Sequence, residues 1–273
     1  MILDLSGVTV VVSGLPDRIA ERLRGSWAPF LRRDVADVPI EVAVTAPEAR
    51  DDDAPFGAKR VRATVEGERA QFTIPEGTVV VGPSGPIAID LAATTTGKQS
   101  FAVVNLVLAA LAWRLPQLGG ALLHAAGIVL DGRAFLLVGA EGAGKSTWTE
   151  LAGRAGAGVL SDDVVLVLEG PSGFDAIASP FRAPMDRPVL VGRWPVGGIL
   201  GASHAATARL HEEPPMIVRA RLAANMPYAV EGLGGHPAVG RVLDRLAAAV
   251  PHRRLAFAPD PSFISLLRSF RGA

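Results

Sequence analysis

Residues 126–147 read AGIVLDGRAFLLVGAEGAGKST, and this stretch decides the fold. Two apolar runs, 126–130 and 134–138, flank Asp131-Gly132, the signature of a type I′ hairpin. The second run leads into Gly139, Ala140, Glu141, Gly142, Ala143, Gly144, Lys145, Ser146 and Thr147. These satisfy the phosphate-loop pattern G-x-x-x-x-G-K-[ST] through Gly139, Gly144, Lys145 and Ser146. The context is the required one: an apolar strand before the loop, and a predicted helix from Lys145 to about Gly153. Chance alone would place such a match in a chain of this composition with roughly 0.3% probability.

Each residue type has a physical task. Glycines let successive backbone N–H groups turn toward phosphate oxygens, and the helix N-terminus adds the positive end of its dipole. Lys145 is a flexible point charge able to follow a migrating phosphoryl group. The Ser146 hydroxyl suits Mg²⁺, which otherwise keeps waters and substrate phosphates as ligands. ATP with Mg²⁺ is therefore the expected ligand pair. A similar string, Thr96-Gly97-Lys98-Gln99-Ser100, lacks the leading glycine and the Ser/Thr after its lysine, and is read as a loop before a helix over 101–115.

Upstream, short strands are expected at 8–12, 40–44, 61–65, 70–74, 78–81 and 87–91, the last four spaced as a meander. A helix is expected over 17–24. Asp51, Asp52 and Asp53 read as an exposed loop. Downstream, strands are expected at 158–160 and 164–168, turns at 171–173 and at Pro214-Pro215, an amphipathic helix over 239–250 and a short helix over 263–270. The class is α/β with mixed sheets: a smaller β-rich domain over 1–99, suited to acceptor docking, then an ATP-binding catalytic domain over 100–273. Trp27, Trp113, Trp148 and Trp194 are expected in cores.

Composition narrows the function. The 273 residues carry 27 basic and 27 acidic side chains and no cysteine. Zero net charge argues against a nucleic-acid partner. Without cysteine there is no disulfide framework, thiolate metal site or cysteine nucleophile. The opening MILDLSGVTVVVSGL reads as a strand and not a signal peptide. The longest apolar stretch, 101–113, is short of the ~20 residues that span a bilayer. The expectation is a cytoplasmic protein with no membrane partner. Only Lys59, Lys98 and Lys145 are lysines, so one of three sits in the loop.

Two further elements bear on chemistry. Asp162-Asp163 follows the loop lysine by only 17 residues, room for one helix and a short strand. The long apolar run comes after this pair, unlike ordinary GTPases, AAA proteins and transporters. Adjacent carboxylates can divide labour, one toward Mg²⁺ and one toward an acceptor proton. His124 precedes the hairpin, 21 residues before the lysine. Arg182, Arg187 and Arg193 cluster in a proline-rich stretch, and Arg182 is the first choice to stabilise transferred phosphate charge. His204, His211, His236 and His252 have no metal-ligand spacing.

Histidine, strand pair, phosphate loop, helix and paired aspartates together resemble the HPr kinase/phosphorylase catalytic domain and its HPr-kinase-related relatives. The resemblance covers about residues 120–168, and more loosely the segments 178–182 and 255–261. It implies the core shared with ATP-dependent phosphoenolpyruvate carboxykinase. It also implies that Lys145 holds the β- and γ-phosphates, Ser146 the metal, and Asp162 the proton of an acceptor serine. Asp163 would face metal and lysine, and His124 would tune the acid pair. No segment after Val189 matches the true HPr kinase signature or its docking helix, so the acceptor implied is a protein or peptide hydroxyl, a modified-peptide precursor among them. The resemblance implies a homo-oligomer as well. The alternative is a nucleotide-gated, non-catalytic ATP-binding module that keeps the loop and turns nothing over.

Overall fold

In the computed structural model, residues 1–34, 40–48, 61–181, 189–228 and 236–270 are described. The protein is mixed α/β, with two mixed sheets and, among the described residues, six α-helices. It divides into two compact units, residues 1–117 with 230–236, and residues 118–229 with 237–273.

The first unit runs β1 (Ile2–Asp4), β2 (Thr9–Ser13), α1 (Asp17–Trp27), β3 (Leu31–Arg32), β4 (Ile40–Thr45), β5 (Arg62–Glu66), β6 (Arg69–Ile74), β7 (Gly77–Val81), β8 (Ile87–Leu91) and α2 (Thr96–Arg114). Its sheet has the order β3-β1-β2-β4-β8-β7-β6-β5. Strands β5 to β8 form the expected antiparallel meander, while β2, β4 and β8 are parallel neighbours. Alternation along β6 and β7 buries Ala70, Phe72, Ile74, Val79 and Val81 on one face. Helix α2 covers that sheet and is apolar nearly all round, as a helix enclosed in a core must be. Its length and composition would suit a membrane span, but 72% of the apolar window is buried within the protein.

Helix α2 starts earlier than expected. Thr95 caps it, its hydroxyl accepting the Lys98 N–H, so the Thr96–Ser100 string is the first turn of the helix and not a loop. Gln99 is fully buried and donates to the carbonyls of Pro47 and Ala93. Because α2 packs on this sheet, the units divide at 117/118, later in the chain than the expected 99/100. Trp113 closes the core: its ring meets Phe72 and His236 edge-on, and its Nε1 donates to Glu68 O. Trp113→Ala should destabilise this unit by about 3–5 kcal/mol, read as a lower urea midpoint.

The second unit runs β9 (Gly120–Leu130), β10 (Arg133–Val138), α3 (Lys145–Arg154), β11 (Gly158–Ser161), β12 (Val164–Gly170), β13 (Gly173–Ile177), β14 (Arg193–His204), β15 (Arg209–His211), α4 (Pro215–Ala224), α5 (Pro237–Ala249), β16 (His252–Phe257) and α6 (Phe263–Ser269). The β9–β10 hairpin turns on Asp131 and Gly132, both at positive φ (50° and 76°), as a type I′ turn requires. Two long strands change partners along their length. Strand β9 pairs with β12 through Gly120–His124 and with β10 through Ala125–Leu130. Strand β14 pairs with β13 through Arg193–Pro195, then in parallel with β10 and β16. Helices α3 and α6 pack a core of Phe135, Leu137, Trp148, Phe257 and Phe263 against this sheet.

Strands β13, β14, β15 and β16 and helix α4 depart from expectation. Pro195, Gly197 and Gly198 disguise β14, yet a Cβ on Gly198 would stand 2.8 Å from the Phe270 ring, so the strand needs glycine there. Pro214-Pro215 opens α4, Pro215 lying in its first turn, where a missing N–H costs nothing. Of the four tryptophans, Trp27, Trp113 and Trp148 are buried and Trp194 is only half-buried.

Candidate functional site

Everything at the site follows from where β9 changes partner. Ala125 on β9 lies opposite Val138, the last residue before Gly139. His124, one residue earlier, lies opposite Val164, which directly follows Asp162-Asp163. Sheet register alone thus brings the loop, the histidine and the paired carboxylates to one place. The contact is direct: His124 Nδ1 is 2.7 Å from Asp163 Oδ1, with the two side chains 35% and 20% exposed. Residues 162–163 form the bend between β11 and β12. Buried Ser161 shapes it, its Oγ accepting the backbone N–H groups of Asp163 (3.2 Å) and Val164 (3.1 Å). Asp162 is half-buried on the same bend.

The loop has the backbone its glycines permit. Gly142 and Gly144 sit at φ +77° and +90°, and α3 begins immediately after, at Lys145. A Cβ on Gly144 would lie 3.3 Å from Phe257 Cζ, and one on Gly139 would lie 2.9 Å from the Ala143 Cβ. Gly144→Ala combines a left-handed conformation with a buried ring that has no room to retreat. It should cost about 1–3 kcal/mol, seen as a lower melting temperature of the nucleotide-free protein.

Lys145 is 8% exposed. Its Nζ donates to the carbonyl oxygens of Gly139 (2.7 Å) and Ala140 (3.1 Å), folding over the loop that precedes it. Burial lowers its pKa, and the negative charges of Asp163 and Glu141 act in the opposite direction. Lys145, Asp163 and His124, drawn from three different elements, therefore form one electrostatic unit at the loop. Ser146 and Thr147 lie exposed on the first turn of α3. Trp148 is fully buried against Phe263, with its ring in the core and not at a ligand edge.

The donor set fits magnesium bound through a nucleotide. Among the described residues no group of three or more His, Asp or Glu side chains could hold a metal. Mg²⁺ does not need such a cage, since one or two protein oxygens plus phosphate and water suffice. Ser146 and the carboxylates supply oxygens of that type.

Helix α4 is a support that sequence reasoning missed. Its C-cap residue Asn225 accepts the His124 N–H at 2.7 Å. One turn earlier, Arg221 forms a bidentate pair with Glu213 (2.5 and 2.6 Å) and lies over Gly201 of β14, where any Cβ would strike its guanidinium. Arg193 is a structural residue and not a surface one, bonded to Asp175 Oδ2 (2.6 Å) and Glu169 O (2.7 Å). Arg182 and Arg187 lie outside the described residues. No known protein family matches the chain, and no curated protein matches it.

Proposed function

We propose that the protein is an ATP- and Mg²⁺-dependent kinase of the HPr-kinase-related type, transferring the γ-phosphoryl group to a serine or other hydroxyl of a protein or peptide. The observation that carries this proposal is the 2.7 Å His124–Asp163 pair at the mouth of the phosphate loop, within the electrostatic reach of Lys145. A histidine–carboxylate pair held beside the loop supplies acid–base groups of the kind a phosphoryl transfer uses.

The roles follow from the contacts. Asp163, engaged by His124 and by the charge of Lys145, faces the metal side, and Asp162, half-buried on the same bend, is assigned the acceptor's proton. In the transfer, the acceptor oxygen forms a bond to the γ-phosphorus as its proton passes to Asp162. The bond from the γ-phosphorus to the β–γ bridging oxygen breaks, and ADP leaves. Lys145 exchanges its two carbonyl partners for phosphate oxygens and stabilises the charge that develops on them. Mg²⁺, when bound, neutralises phosphate charge and orients the leaving group. Ser146 and Asp163 would hold it.

The test is incubation of the protein and γ-labelled Mg-ATP with protein and peptide fractions of the source cells, followed by mass spectrometry. Phosphoserine or phosphothreonine formed by the wild type and not by Asp162→Asn supports the kinase. ATP binding with no label transferred to any fraction favours a nucleotide-gated module.

A further inference from the structure

The geometry points to His204 as the side chain that holds the ribose–α-phosphate segment of the nucleotide. The inference rests on the nucleotide-binding reading of the loop and extends it to the opposite flank. Strand β10 delivers the loop between two neighbours. On the β9 side stand His124, Asp162 and Asp163, so the γ-phosphoryl group must point there for transfer to occur. The nucleoside end of the triphosphate must then leave along the other flank, over the carboxyl ends of β14 and β16. Ligands of open α/β sheets occupy that edge, outside the carboxyl ends of the strands.

His204 is the last residue of β14, in parallel register with Phe257, the last residue of β16. Both strands run past the level of Val138, which pairs with Gly201. The two side chains flank Gly144: a Cβ built there would lie 3.3 Å from Phe257 Cζ and 3.6 Å from His204 Cε1. Phe257 is buried and fixed edge-on by Phe263, which packs on Trp148, so it serves as a rigid wall. His204, by contrast, is exposed. Among the described residues its imidazole makes no hydrogen bond or ion pair. A free ring N–H beside the glycine that precedes the loop lysine is placed to donate to a ribose or α-phosphate oxygen. It is too close to the loop to read the base.

The test compares wild type, His204→Ala and His204→Gln by calorimetric titration with Mg-ATP, Mg-ADP, Mg-GTP and magnesium pyrophosphate. Being exposed, His204 can be replaced with little effect on folding. His204→Ala should weaken ATP, ADP and GTP by about tenfold each, while His204→Gln retains most of the affinity. Pyrophosphate, which stands in for the β- and γ-phosphates and brings neither ribose nor α-phosphate, should bind all three proteins alike. An equal loss for pyrophosphate, a loss confined to one base, or unchanged ATP affinity in His204→Ala would overturn this role and leave the kinase proposal standing. A wild type that bound none of the nucleotides would overturn both.

Discussion

Asp162→Asn should reduce phosphoryl transfer by about 10²–10⁴-fold while leaving Mg-ATP affinity within a factor of two or three, the range expected when a general base is removed from a site that still binds. Asparagine keeps the size and the polar oxygen, so the bend shaped by Ser161 survives. What is lost is the capacity to accept the acceptor's proton. The measurement is a single-turnover transfer assay beside an ATP titration of the same preparation. Parallel loss of binding and transfer would instead make Asp162 part of the nucleotide site. Asp163→Asn should behave differently, because that side chain is bonded to His124 and acts on Lys145. Its loss is expected to disturb both binding and transfer.

Lys145→Met should abolish detectable transfer without unfolding the protein. An arginine finger or loop cation acting on transferred phosphate is worth several powers of ten in rate, so a loss of about 10³-fold or more is expected. Stability should move the other way. Burial lowers the Lys145 pKa below its ordinary value of 10.5. A lowered lysine pKa means that the folded state disfavours the charged form. The penalty is full below the folded pKa and is relieved as pH rises toward the unfolded value. The melting temperature of nucleotide-free Lys145→Met at neutral pH should therefore equal or exceed that of wild type. The gain in stability that wild type shows toward alkaline pH should be smaller in the variant.

The part of the fold visible from residue order is the part built by local signals. Asp131-Gly132 demands a type I′ turn, and the loop glycines demand positive φ, so β10, the loop and α3 could be placed within a residue or two, whereas β9 starts at Gly120, six residues before the strand expected from 126. The meander of the first unit is similarly local. What escaped is decided by distant packing. Strand β14 carries proline and two adjacent glycines, features of a loop, because Arg133, Phe135 and Phe270 occupy the space where its side chains would be. The division of the chain at 117/118 depends on which sheet α2 covers, a long-range choice that an all-round apolar helix does not advertise. A threonine cap at Thr95 was the available sign that α2 begins before residue 101.

The site shows the same split. His124, Lys145 and Asp163 were singled out in the sequence, but only the switch of β9 from β12 to β10 explains why His124 and Asp163, so far apart in sequence, touch. His204 carried no spacing signal, since it reaches the loop through the parallel register of β14 with β10 and β16. Asn225 is the end of a helix that two prolines concealed, and it acts through its backbone carbonyl, which no side-chain pattern reveals.

Equilibrium titration of the full chain with Mg-ATP, wild type against Lys145→Ala, tests the central claim most directly. Saturable one-to-one binding by the wild type, weakened by about 100-fold or more in the variant, is the expected result. A Lys145→Ala protein that bound Mg-ATP as tightly as the wild type would contradict the assignment of residues 139–147 as the phosphate-binding loop, and with it the kinase.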